Sequence, residues 1–60
     1  LNERQVKAVK YVKEKGKITN KEYREVNIVS ERTALREIAE LLEKEILIKY
    51  GKGKNTEYKL

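Results

Sequence analysis

The stretch ITNKEYREVNIVSERTALREIAELLEK, residues 18–44, decides the fold because it contains two helix starts separated by a short turn. Thr19 and Glu22 have the spacing of a capping box, in which the first turn of a helix satisfies its own free amides. Ser30 precedes a second periodic apolar run and predicts another N-cap. Asn27 is expected to adopt the positive φ of the turn, since Asn tolerates it better than most residues. Two helices joined so closely must cross at a steep angle, which is typical of a helix-turn-helix.

The helix that begins after Ser30 is expected to end near Lys44 and to be amphipathic. With 3.6 residues per turn, its apolar residues share one face: Ala34, Ile38, Leu41 and Leu42, with Leu35 at the margin. The polar residues expected outside this face are Arg32, Thr33, Arg36 and Glu40, together with Glu31 and Glu37. Two arginines four residues apart on one side of a helix can reach successive points in a groove. The acids among them argue against a simple phosphate-binding surface.

Residues 1–16 predict a first helix with a marked start and end. Asn2 and Gln5 are spaced as a further capping box, and Gly16 supplies the left-handed residue that ends many helices. The apolar residues at helical spacing are expected to face the core: Val6, Val9 and Val12, with Ala8 beside them. A helix of valine and lysine could also lie on a membrane surface, but without Trp or Phe it would be a weak anchor.

After the third helix, EILIKY (45–50) and TEYKL (56–60) are strand-like runs, and GKGKN (51–55) between them is typical of a flexible hairpin loop. The period of two gives each strand one shared face: Ile46, Ile48 and Tyr50 in the first, and Thr56, Tyr58 and Leu60 in the second. Tyr50 and Tyr58 are expected in the core. The expected architecture is α+β, with three helices followed by a two-stranded β-hairpin in one domain over residues 1–60.

The composition excludes several classes of function. A chain of 60 residues forms one small domain, and without Cys or His it lacks a disulfide framework and the usual metal ligands and acid–base groups. No nucleophile and base are paired, so we expect neither an enzyme nor a cofactor or metal site. No apolar run could span a membrane, so a cytoplasmic protein with no membrane partner is expected. The chain contains no Met and begins at Leu1, which favours a fragment of a longer protein.

The charge pattern indicates an acidic partner. The net charge of +5 favours nucleic acid, the commonest partner of a basic domain. Within residues 28–45, however, acidic side chains outnumber basic ones, so the positive charge lies in the first two helices and in the hairpin. A DNA-binding pose must therefore rely on flanking lysines and insert the third helix by its N-terminal turn.

The chain resembles a winged helix-turn-helix domain over almost its whole length, through ITNKEYREV, VSERTALREI and LLEKEILIKYGKGKNTEYKL. These segments are similar to the C-terminal winged helix of some Fic-domain proteins and of prokaryotic regulators described as helicase-RecG-like. The resemblance implies double-stranded DNA binding within a transcriptional regulator. The third helix would enter the major groove, and the hairpin wing would touch the neighbouring backbone.

Carried over by position, the resemblance implies a set of DNA-binding residues. They are Ser30, Arg32, Thr33 and Arg36 on the third helix, Lys21 at the start of the second, and Lys52, Lys54 and Asn55 at the wing tip. Two residues depart from the family pattern. Asn27 stands where glycine is common in the turn, and Glu45 stands where glycine usually ends the third helix. Without that glycine, the helix must end with some strain or by another geometry.

Two alternatives stay open at this point. The same fold serves as a protein-interaction or dimerisation module of larger enzymes, and the acidic third helix favours that interpretation; a homodimer would then form through the parent protein. On the third helix, Arg36 and Glu40 would pair across a turn if this face were only solvated. The loop GKGKN is likewise typical of any soluble hairpin tip.

Overall fold

The structure, a computed structural model, describes residues 1–53 and 56–60; Lys54 and Asn55, both predicted at the hairpin tip, lie outside the described residues. The described elements are α1 (Glu3–Lys15), α2 (Asn20–Asn27), α3 (Glu31–Glu43), β1 (Ile48–Tyr50) and β2 (Glu57–Lys59). The two strands form an antiparallel hairpin. The predicted α+β class and the order of elements are confirmed. Over the described ranges, no helix is both long and apolar enough to cross a lipid bilayer.

The predicted helix starts are confirmed by their hydrogen bonds. Asn2 and Thr19 each close a complete capping box, with Gln5 and Glu22 as the reciprocal partners. Ser30 caps α3 by accepting a hydrogen bond of 3.2 Å from the amide of Thr33. These caps depend on residues three apart in the chain, which is why the sequence alone located them.

The left-handed residue that ends α2 is Ile28, so the prediction that Asn27 takes the positive φ is wrong. Ile28 has φ 52° and ψ 59°, and its side chain is 91% exposed. Asn27 stays helical, and its side-chain amide donates to the carbonyl oxygen of Arg4 at 3.1 Å. This contact with α1 holds the last turn of α2, so the reversal falls on the next residue.

Glu45 ends α3 in the left-handed conformation that glycine usually supplies, with φ 59°. Its amide donates to the carbonyl of Leu42 at 3.0 Å, and the amide of Ile46 donates to Leu41 at 2.9 Å. This pair of bonds is the Schellman motif. The helix therefore ends in a Schellman motif although glycine is absent. Glu45 takes the left-handed conformation instead, so the expected backbone strain is present there. The last helical residue is Glu43, one before the predicted end at Lys44.

The core lies between the three helices and the base of the hairpin. Its buried apolar residues are Ala8, Val12, Ile18, Tyr23, Ala34, Ile38, Leu41, Leu47 and Tyr58. On α1, the predicted core residue Val6 is 47% exposed, and Gln5 is buried beside it. Gln5 is held inward because its side-chain amide donates to the backbone carbonyl of Glu37 at 3.2 Å. Val9 packs at the edge of the core, so the predicted stripe is correct only in part.

The face of the first hairpin strand that points to the core is the opposite of the predicted one. Leu47 is buried, whereas Ile48 and Tyr50 are 51% and 45% exposed. The prediction that Tyr50 joins the core is wrong, and the prediction for Tyr58 is confirmed. The left-handed turn at Glu45 leads the chain back so that Leu47 points inward, and a shift of one residue inverts every position in a strand.

Ile18 connects the hairpin to the helices. Its amide donates to the carbonyl of Tyr58 at 2.9 Å, and the amide of Tyr58 donates back at 2.8 Å. The adjacent residues Lys17 and Glu57 form an ion pair. Strand β2 is therefore paired with β1 on one side and with Ile18 on the other. This contact of Ile18 could not be predicted from the sequence, because a single bridging residue has no periodicity.

Candidate nucleic-acid interface

The first two turns of α3 bring four of the predicted site residues together. Ser30, Arg32 and Arg36 are exposed, and Thr33 is half-buried. The hydroxyl of Ser30 donates to the hydroxyl of Thr33 at 3.1 Å, so both side chains are part of the cap. The two arginines lie on the side of the helix opposite the core residues Ala34 and Ile38.

Neither arginine forms an ion pair with any residue that the structure describes. Over residues 1–53 and 56–60, the ion pairs are Arg4–Glu37 and Lys17–Glu57. Arg36 and Glu40 do not form an ion pair, so the structure does not support the alternative in which the two side chains neutralise each other on a solvated face. Two unpaired guanidinium groups on one helical face can therefore form bidentate hydrogen bonds with an external acceptor.

Glu37 is buried, with 2% of its surface exposed, so the prediction that it accompanies the arginines on the outer face is wrong. Arg4 Nε lies 3.0 and 2.9 Å from the two oxygens of the carboxylate. The carboxylate also accepts hydrogen bonds from the hydroxyl of Tyr23 at 2.7 Å and from the side-chain amide of Asn2 at 3.0 Å. Donors from α1 and α2 thus surround a carboxylate of α3.

The protonation states in this cluster follow from its hydrogen bonds. The hydrogen bond from Arg4 lowers the pKa of Glu37 below its ordinary value, against the opposing effect of burial. Burial, together with the hydrogen bond to Glu37, raises the pKa of Tyr23. At neutral pH the cluster therefore contains a carboxylate and a neutral phenol. Because the ion pair with Arg4 compensates the charge of the buried Glu37, the repulsion of an anion at the outer face of α3 by this carboxylate is reduced.

A groove of about 600 Å³ lies beside the arginines, between the start of α2, the flank of α3 and the hairpin. Its charged lining residues are Lys21, Arg24, Lys49 and Glu31. We call it the cationic groove. Of these residues the sequence predicted only Lys21 as a site residue. Lys21 and Arg24 are three apart and so share a helix face, a signal that was present in the sequence. Lys49 could not be found in this way because the predicted face of β1 was inverted.

The described part of the hairpin tip contains Gly51 and Gly53, both with positive φ of 83° and 56°. Lys52 between them is exposed. Gly53 also lines the cationic groove, so the tip and the groove belong to one side of the molecule. The predicted contacts Lys54 and Asn55 lie outside the described residues.

We compared the chain with protein-family models, with curated proteins and with solved structures, and none of the three comparisons found a match.

Proposed function

We propose that this chain is a winged helix-turn-helix domain that binds double-stranded DNA as the targeting module of a transcriptional regulator. The observation that carries the proposal is the pair of exposed arginines, Arg32 and Arg36, which have no ion-pair partner among the described residues. In this pose the start of α3 enters the major groove, and the hairpin lies along the neighbouring backbone.

Each site residue has a chemical role in this pose. Arg32 and Arg36 form bidentate hydrogen bonds with guanine or clamp a phosphate. Ser30 and Thr33 lie at the N-terminus of α3, where free amides and the helix dipole favour an anion. Lys21, Lys52 and Lys54 contact the phosphate backbone, and Asn55 is a further polar contact.

The positions of the acidic side chains determine how α3 would enter the major groove of the DNA. Glu37 is paired internally, and the exposed acids Glu40, Glu43 and Glu45 lie toward the C-terminal end of the helix. If α3 lay flat along the major groove, these carboxylates would come close to the phosphates of the DNA backbone. We therefore expect α3 to enter by its N-terminal turns only, with Glu31 serving the positive end of the helix dipole.

The proposal is tested by titrating two short DNA duplexes of unrelated sequence into the wild type and into Arg36→Ala. We expect the substitution to weaken binding by about 1–3 kcal/mol and to relax base preference. Lys10→Ala is the matched control, because Lys10 is exposed on α1 and distant from α3 in the chain. NMR shifts should concentrate at residues 30–36 and at Lys52. Shifts confined to α1, or equal affinity for all three proteins, would refute this function.

A protein-interaction or dimerisation module is the second candidate, favoured by an apolar patch on α1. Leu1 and Val6 are 57% and 47% exposed and line a shallow cavity of about 450 Å³ with Lys7 and Lys10. A homodimer through this patch would be dispersed by Val6→Glu, which sedimentation equilibrium would detect. A wild type that is monomeric at all concentrations would exclude the dimer.

A further inference from the structure

The cationic groove contains more positive charge than the packing of the domain requires. Lys21, Arg24 and Lys49 are opposed there by one acid, Glu31. Neither ion pair of the described residues involves any of these four side chains. Three cations opposed by one acid leave a net positive charge in the groove, which favours the binding of an anion.

Two buried donors beside the groove have no acceptor among the described residues. Arg24 Nε and Asn20 Nδ2 are shielded from solvent and form no hydrogen bond with any part of the chain that the structure describes. Both side chains belong to the lining of the groove. Buried polar groups in folded proteins are almost always hydrogen-bonded, so these two donors lack a partner that a water molecule or a ligand entering the groove would supply.

The start of α2 adds backbone donors. The capping box satisfies the amides of Thr19 and Glu22 and leaves those of Asn20 and Lys21 without an intrahelical acceptor. Lys21 also places a positive side chain at the positive end of the helix dipole, where an acidic one would be favoured. An anion bound near Arg24 would accept hydrogen bonds from these free amides and would offset the unfavourable positive charge of Lys21.

We propose that the cationic groove is a phosphate-binding site in which Arg24, Asn20 and Lys49 hold one tetrahedral oxyanion. The proposal rests on the proposed function in taking a backbone phosphate of the DNA duplex as the anion. Arg24 donates through its planar guanidinium, Asn20 through its side-chain amide, and Lys49 adds a point charge from the hairpin. Since Arg24 belongs to α2 and Lys49 to β1, one bound phosphate would fix the hairpin relative to the helices.

The experiment compares Arg24→Gln and Lys49→Gln with the matched control Lys13→Gln, because Lys13 is an exposed lysine of α1 outside the groove. Affinity for a short DNA duplex is measured by fluorescence anisotropy over a salt series. Each groove variant is expected to bind roughly tenfold more weakly, and the slope of log K against log salt should decrease in magnitude by about 0.9, the loss of one phosphate contact. The control should keep the slope of the wild type. Thermal melting of each variant verifies that it is folded.

NMR of the wild type gives a second measurement that needs no substitution. The Nε–H of Arg24 and the side-chain amide of Asn20 should shift on addition of the duplex, and more weakly on addition of inorganic phosphate. If the duplex binds but these signals do not move and both variants keep the wild-type slope, the groove is not a phosphate site, and the DNA-binding function stands. If inorganic phosphate shifts them but no duplex binds, the anion is a free phosphate, and the proposed function is overturned.

Discussion

Glu37 occupies a position of α3 that an aliphatic side chain would fill in most small helical domains. Its carboxylate accepts hydrogen bonds from Asn2, the N-cap of α1, from Arg4 of α1 and from Tyr23 of α2. Its spacing from Ala34 and Leu41 places it on the core face, so the helical period alone indicated burial. The charge led to the opposite prediction, and the compensating Arg4 is too distant in the chain to be identified from the sequence.

We expect Glu37→Gln to lower the free energy of unfolding by about 1–3 kcal/mol, because the donors around the carboxylate lose a charged acceptor. Urea denaturation monitored by circular dichroism measures the change. Glu43→Gln is the control, since Glu43 is an exposed acid of the same helix, and surface substitutions usually stay within about 0.5 kcal/mol. Equal losses in the two variants would mean that the buried cluster contributes nothing specific.

The same residue predicts a dependence of stability on pH. The pKa of Glu37 is lowered in the folded chain by its hydrogen bond with Arg4. Its contribution is therefore complete above the unfolded pKa of about 4.3 and is lost as pH falls through the folded value. We expect the difference in unfolding free energy between wild type and Glu37→Gln to shrink as pH is lowered from about 5 toward 2. A difference independent of pH would contradict this account.

At the scale of helices and strands, the three helix starts were predictable, but of the three helix ends only that of α1, at the left-handed Gly16, was predicted correctly. An N-cap is a local arrangement of a few side-chain types, and all three were located from the sequence. The ends of α2 and α3 depend on which residue takes a positive φ, and here Ile28 and Glu45 do so in place of glycine. Both choices oppose local propensity, so the packing of the elements must determine them.

Ile28 offers a direct test of this strain. A β-branched residue in the left-handed region is disfavoured by about 1–2 kcal/mol, and with 91% exposure its side chain contributes little packing. We expect Ile28→Gly to raise the free energy of unfolding by up to about 1 kcal/mol, reduced by the greater freedom of glycine in the unfolded chain.

Asn27→Gly is the matched control for Ile28→Gly. Asn27 is helical and donates to Arg4, so glycine there should be destabilising. Thermal unfolding of the two variants should therefore move in opposite directions. Stabilisation by both would show that backbone strain is not localised at Ile28.

At the scale of the whole molecule, the sequence indicated the order of elements but not which faces meet. Lys49 was not predicted as a site residue because the wrong face of the first strand was assigned to the core. The cationic groove is formed jointly by α2, α3 and the hairpin, so it could not be predicted from any one element. The arginines of α3 were identified because they depend on one helix only. Only the structure could show that Arg36 does not form an ion pair with Glu40.

DNA binding by the whole domain is expected to be weak for one copy and steeply dependent on salt. With about four to six phosphate contacts, the slope of log K against log salt should be about −4 to −5 for duplex DNA. Lys54→Ala should weaken binding to all sequences alike, whereas Arg36→Ala should also alter base preference. Fluorescence anisotropy with two unrelated duplexes separates these effects. A slope near zero would exclude a phosphate-dominated interface.

The hydrogen bonds between Ile18 and Tyr58 have a consequence for the kinetics of folding. Contacts between segments far apart in sequence form late, because the entropy of loop closure opposes them until the intervening chain is ordered. We expect the helices to assemble first and the hairpin to dock after the transition state. Tyr58→Ala should then accelerate unfolding and leave the refolding rate nearly unchanged in stopped-flow measurements. The lifetime of the docked hairpin would also limit how long Lys49 stays beside Arg24.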